Sequence, residues 1–118
     1  MAAEDIPEIE VHALAEKIRS EEEFILLDVR EEWELARARI ADRRMLNIPM
    51  SQLTAKGKSV LTRRAEGSGG NVYVICHHGV RSSNVTRWLI AQGWRNVFSV
   101  HGGVDEYARK IDPSVGLY

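Results

Sequence analysis

Two stretches of this sequence do not alternate: Phe24-Ile25-Leu26-Leu27-Asp28-Val29 and Asn71-Val72-Tyr73-Val74-Ile75 are apolar at almost every position. A strand with one wet face alternates apolar and polar residues, so a continuous apolar run belongs to a strand covered on both sides. Helices give that cover, and the intervening stretches supply them. His12 to Ser20 sets Ala13, Leu14 and Ile18 at helical spacing, with His12 on the surface at the helix start. Glu31 to Arg37 has acids in its first turn and arginine in its last, matching the helix dipole. Ser51 can cap a helix from Gln52 to about Ala65, weakened in its middle by Gly57. Ser82 to Ile90 reads as a helix stopped at Gln92-Gly93, and Val104 to Ile111 as one ended by Pro113.

Shorter extended pieces fill the remaining strand positions: Ile6 to Val11, Met45 to Ile48 before Pro49, and Asn96 to Val100. Glu21-Glu22-Glu23 reads as a solvated turn, Ala38 to Arg44 as a polar loop, and Glu66 to Gly70 as a flexible turn. The alternation predicts an α/β fold spanning residues 1–118 as one domain, with a central parallel sheet of about five strands and helices on both faces. Loops that follow the strands then share one edge of the sheet, where ligands bind in such folds.

The chain's only cysteine opens the loop after the second apolar run, in the order Cys76-His77-His78-Gly79-Val80-Arg81. A strand-to-helix loop leaves backbone N–H groups without partners. Together with the helix dipole they favour an anion. A thiolate placed there is stabilised, and the sulfur becomes a nucleophile. Gly79 allows the loop a positive φ, and Arg81 adds a planar donor fork suited to an oxyanion. A lone cysteine is often only a small buried hydrophobe. The strand end, the glycine and the arginine together favour the nucleophile. His77 and His78, as sequence neighbours, are expected to point in different directions and to line the loop mouth. No C-x-x-C or H-x-x-x-H spacing accompanies them, so no metal site is expected. Asp28-Val29-Arg30 ends the other apolar strand and is placed to meet Cys76 at one crevice.

A net charge of -1 gives no case for nucleic acid or membrane partners. A single cysteine excludes an internal disulfide, and a reactive thiol fits a reducing compartment. Met1 to Pro7 has neither the basic nor the apolar region of a signal peptide, and no stretch is long enough to span a bilayer. These features predict a cytoplasmic monomer.

Four stretches, in order, resemble the rhodanese domain: Leu27-Asp28-Val29-Arg30-Glu31, Asn47-Ile48-Pro49, Cys76 to Ser82, and His101-Gly102-Gly103-Val104-Asp105-Glu106-Tyr107. Asp112-Pro113-Ser114-Val115 and the tyrosine at position 118 are similar to single-domain members. The resemblance implies a single rhodanese-like domain and a sulfurtransferase. Cys76 is then the persulfide-forming nucleophile, His77, His78, Gly79, Val80 and Arg81 cradle the transferred sulfur, and Asp28 and Arg30 brace neighbouring loops. It implies no metal or organic cofactor. The partners implied are a small sulfur donor such as thiosulfate and a thiophilic acceptor, whether a thiol, cyanide or a carrier protein. The chain departs from the family between Asp28 and Pro49. Arg39 stands where the family has a histidine, the glycines of that stretch are missing, and the Ala38 to Arg44 region is longer. This leaves open whether the Arg39 to Arg44 loop gates the site or binds a partner.

Two other readings compete. A non-catalytic rhodanese-like binding or regulatory module would keep the fold without the chemistry, although inactive members often lose the cysteine. A cysteine phosphatase or arsenate reductase of related fold would have five residues between cysteine and arginine; here there are four.

Overall fold

The computed structural model describes residues 6–68 and 70–118. Its centre is the pair of continuous apolar runs. β2 (Phe24–Asp28) and β4 (Asn71–Ile75) lie side by side and parallel, with Asp28 opposite Ile75. β3 (Met45–Asn47) extends the sheet beyond β2. On the other side β5 (Val97–Val100) pairs with β4, and β1 (Glu8–Ile9) pairs with β5. The order β1-β5-β4-β2-β3 is parallel throughout and puts the strand leading to Cys76 in the middle.

Alternate residues of the central strands feed two cores, as the two-residue period of a strand requires. Leu26, Tyr73, Ile75 and Val100 pack against Val11, Leu14 and Ala15 of α1 (Val11–Arg19) and Val104, Tyr107 and Ala108 of α6 (Gly103–Lys110). Ile25, Leu27, Val72 and Val74 pack against Leu53, Leu61 of α4 (Lys58–Ser68), and Val85 and Leu89 of α5 (Val80–Ala91). Leu14, Leu26, Leu27, Leu61 and Leu89 are fully buried, each burial favouring the fold by about 1.5–3 kcal/mol. Cys76 belongs to the second core.

Several boundaries differ from the sequence reading. Val11 is not the end of a strand but the buried first residue of α1. The Glu31 to Arg37 helix shrinks to α2 (Glu32–Leu35), because Glu31 acts as its N-cap in a reciprocal capping box with Glu34. Ser51 caps nothing: α3 (Met50–Gln52) starts directly after Pro49, and the Ser51 hydroxyl donates to Glu31 Oε2 at 3.0 Å. A π-helical turn, Leu53–Gly57, joins α3 to α4. α4 continues to Ser68, so the expected Glu66 to Gly70 turn is largely helical, with Gly69 outside the described residues. The Ala38 to Arg44 loop is not uniformly polar, since Ala38, Ile40 and Arg44 are all buried. A short 3₁₀ turn, Pro113–Val115, follows α6 and is capped by the Asp112 carboxylate, which accepts from Ser114 N–H at 3.1 Å. Among the described residues no helix is long and apolar enough to cross a membrane.

Candidate active site

β4 delivers Cys76 to the carboxyl edge of the sheet, and the chain turns at once into α5. The helix begins at Val80, earlier than the sequence suggested, with Gly79 as its N-cap at φ 109°. Arg81 therefore sits in the first helical turn. This conformation aims two backbone donors at the sulfur: Gly79 N–H at 3.1 Å and Ser82 N–H at 3.2 Å from Cys76 Sγ. The Ser82 hydroxyl stands 3.5 Å from the sulfur and 2.8 Å from the Ser99 hydroxyl of β5. Cys76 is a free thiol, 1% exposed. Val80 and Arg81, at the first two helical positions, have no carbonyl one helical turn ahead of them, so their N–H groups also face the loop interior or solvent.

The loop is clamped from behind by α6. Val104 N–H donates to the Cys76 carbonyl at 2.9 Å, and Asp105 N–H to the His77 carbonyl at 3.1 Å. Gly103, at φ 65°, permits this approach: a β-carbon there would overlap the Cys76 and His77 carbonyls. The double-glycine turn seen in the sequence is thus part of the same loop cluster, in contact with the Cys76 backbone.

Arg81 is held by a partner that sequence reasoning missed. Its two terminal nitrogens donate to the two carboxylate oxygens of Glu34, both at 2.8 Å. The fork expected to meet an oxyanion is engaged by this buried carboxylate, whose side chain is only 5% exposed. The Arg81 hydrogen bonds hold the Glu34 carboxyl down to about 2, against the opposing effect of burial. The same contact, made first through hydrogen bonds and then through charge, raises Arg81.

Asp28 and Arg30 lie together at the end of β2, as expected. Arg30 is fully buried, and its Nε and Nη2 donate to Asp28 at 3.0 Å and 2.8 Å. Its remaining Nη1 donates to the Tyr118 hydroxyl at 3.0 Å. That hydroxyl in turn donates to Glu34 Oε1 at 2.9 Å. One chain of contacts therefore runs from Asp28 through Arg30, Tyr118 and Glu34 to Arg81 on the loop. Asn47 ties β3 into it by donating to the Asp28 and Arg30 carbonyls at 2.9 Å.

The two histidines do not diverge. Their rings stack on each other with centroids 3.9 Å apart, and His77 is sandwiched by the Tyr118 ring at 3.8 Å and 4° on its other side. The expectation of separate directions followed strand geometry, but the chain leaves β4 at Cys76 and curls, which brings successive side chains together. Burial, and then the neighbouring His78, lower the pKa of His77. Glu34 was detectable as the capping-box partner of Glu31, three residues on. The tyrosine at position 118 was noted only through the resemblance; its partners Arg30, Glu34 and His77 lie far away in the chain, so its contacts were not readable locally.

Comparison with known proteins agrees with this geometry. The family model described as "Rhodanese-like domain" matches residues 10–110. A putative sulfurtransferase, YtwF, of Bacillus subtilis is 36% identical over 110 residues, covering 92% of this chain and 97% of that protein. A putative sulfur carrier protein, YrkF, of the same organism is 30% identical across 93% of this chain, which spans only 55% of its length. Among solved structures, a rhodanese-related protein from Thermoplasma volcanium superposes with a TM-score of 0.69 at 32% identity, over 89% of this chain and 93% of that one.

Proposed function

The chain belongs to the rhodanese-like domain family, and from that premise we propose that it is a sulfurtransferase working through a persulfide on Cys76. The observation that carries the reading is the pair of N–H groups, Gly79 and Ser82, directed at Cys76 Sγ at the end of the central strand. The thiolate attacks the outer sulfur of a donor such as thiosulfate. The donor's S–S bond breaks, sulfite leaves with the bonding electrons, and Cys76 carries the sulfur as a persulfide anion. A nucleophilic acceptor then attacks that outer sulfur, and the Cys76 thiolate leaves unchanged. In this reading the N–H groups of His77, His78, Gly79, Val80 and Arg81 receive the anionic sulfur. Arg81 acts chiefly by holding the loop through Glu34, and Asp28 and Arg30 act as a brace. The acceptor is a thiol, cyanide or a carrier protein; similarity to a protein named as a sulfur carrier supports this class of partner.

The test is intact mass spectrometry. Thiosulfate is expected to add one sulfur atom, cyanide to remove it, and Cys76→Ser to abolish both. An unmodified mass with several sulfur donors overturns the catalytic reading in favour of a binding module. The four residues between Cys76 and Arg81 suit one sulfur atom better than a tetrahedral phosphoryl group in this reading, so no hydrolysis of p-nitrophenyl phosphate is expected. Phosphatase activity lost in Cys76→Ser would assign a different reaction to the same cysteine.

A further inference from the structure

The Cys76 loop carries a second cluster, which sulfur transfer does not require. Because α6 is tied to the loop backbone, Asp105 in its first turn stands beside His77 and His78. His77, His78 and Asp105 each offer one ligand atom, and these atoms lie within 4.8 Å of one another. His78 Nδ1 and Asp105 Oδ2 are 3.9 Å apart, too far for a hydrogen bond. Independently, His77 Nε2 is sealed from solvent and has no hydrogen-bond partner among the described residues. A buried imidazole nitrogen without a partner is costly, and native structures seldom leave one so.

The surroundings favour a cation. His78 and Asp105 form one wall of an open groove of about 430 Å³, whose other side chains include Glu8, Glu106 and His101. Arg109 pairs with Asp105 at 2.9 Å, but it is 61% exposed, and such surface pairs yield readily to a stronger partner.

We infer that His77, His78 and Asp105 form a binding site for a divalent transition-metal ion of the zinc or nickel type. Two imidazoles and one carboxylate suit these ions, and three protein ligands leave a coordination position for water. Metal–ligand bonds of about 2.0–2.2 Å require the three groups to draw closer. Face-to-face imidazoles do not direct their lone pairs at one point, so the exposed His78 side chain must rotate off the His77 ring to ligate. A bound ion would cross-link the loop to α6 and thereby stiffen the backbone around Cys76. The site itself is inferred from its own residues and stands whether or not Cys76 transfers sulfur.

Isothermal titration of the untagged full chain with ZnCl₂ at pH 7 tests it. One ion per chain is expected. His78→Ala and Asp105→Asn should each weaken binding by about tenfold or more. Cys76→Ser and His101→Ala should bind as the wild type does. Binding lost in Cys76→Ser would place the ion on the sulfur. Binding lost in His101→Ala but kept in His78→Ala would place it on the neighbouring Glu10, His101 and Glu106 cluster. No binding up to about 1 mM would mean no site at all. Any of these three results overturns the inference. His78 is exposed, so His78→Ala should fold normally and keeps the test decisive even if Asp105→Asn does not.

Discussion

The same local device occurs twice in this chain, at Asp28-Val29-Arg30 and at Asp42-Arg43-Arg44. In both, the aspartate accepts from the backbone N–H and the Nε of the arginine two residues on: 3.1 Å and 3.0 Å at Asp28, 2.8 Å and 2.8 Å at Asp42. In both, Nη2 completes a bidentate pair, at 2.8 Å and 3.0 Å. Both arginines are buried and both lie near an aromatic ring, Tyr118 at 5.7 Å from Arg30 and Phe24 at 4.3 Å from Arg44. They differ in where the spare donors go. Arg44 gives its donors to the carbonyls of Lys17, Ile18, Ser20 and Glu22, so it caps the end of α1 and the turn after it. Arg30 reaches Tyr118 and, through it, Glu34 and the Cys76 loop. A D-x-R hairpin is thus a general way to bury a guanidinium, and its role is set by what its free edge meets.

Removing either guanidinium should have the largest effect on stability. Arg30→Met and Arg44→Met each strand a buried or nearly buried carboxylate, and each should cost roughly 3–5 kcal/mol, read by urea unfolding at pH 7. The two should separate in function. At a temperature where both are folded, Arg44→Met should form the Cys76 persulfide at the wild-type rate, while Arg30→Met should be at least about tenfold slower. Equal rates would show that the Asp28–Arg30 pair is a cap like its twin and does not brace the loop.

Acid should sharpen the contrast. Glu34 is held at about 2 in the fold, mainly by its hydrogen bonds from Arg81, against an ordinary value of 4.5. The folded state therefore prefers the ionised carboxylate. That contribution is complete above about pH 4.5 and is lost as pH falls towards and through 2. The difference amounts to roughly 3 kcal/mol. Asp42 is lowered too, first by its hydrogen bond from Arg44, so both regions soften in acid. Glu34→Gln should flatten the site's share of the pH dependence and leave the share due to Asp42. A stability curve below pH 4.5 unchanged by Glu34→Gln would show that the Glu34–Arg81 contact does not hold in solution.

Much of the sheet was legible because adjacent apolar residues such as Leu26 and Leu27, or Tyr73 and Val74, point to opposite faces and so require cover on both. Cys76 was legible because strand, loop and helix follow one another in sequence. Boundaries set by tertiary contact were not. α2 begins late because Glu31 serves as its N-cap in a capping box with Glu34, and α4 runs on through residues that composition assigns to a turn. The 38–44 stretch read as a polar loop because four of its side chains are charged, yet Arg44 is buried by satisfying five acceptor groups at once. Single-residue polarity could not show that. The histidine stack escaped notice because adjacent residues face apart in a strand but not in a tight loop.

The smallest expected effect concerns the aromatic partners of the two arginines. Tyr118→Phe keeps the ring on His77 and removes only the hydroxyl, which accepts from Arg30 and donates to Glu34. Arg30 Nη1 retains the Glu34 carbonyl at 3.4 Å, and Glu34 retains both bonds from Arg81. The loss should therefore be about 1 kcal/mol, that of an ordinary hydrogen bond, and not the larger cost of an abandoned charge. Persulfide formation should slow by no more than about threefold. Tyr118→Ala removes the stack as well and frees His77, so its rate should fall further than its stability does. Phe24→Leu is the matching change at Arg44: it should lower stability through lost packing and leave the rate untouched. If Phe24→Leu slowed persulfide formation as much as Tyr118→Ala, the two arginine regions would not be separable, and the route from Arg30 through Tyr118 to the loop would lose its special standing.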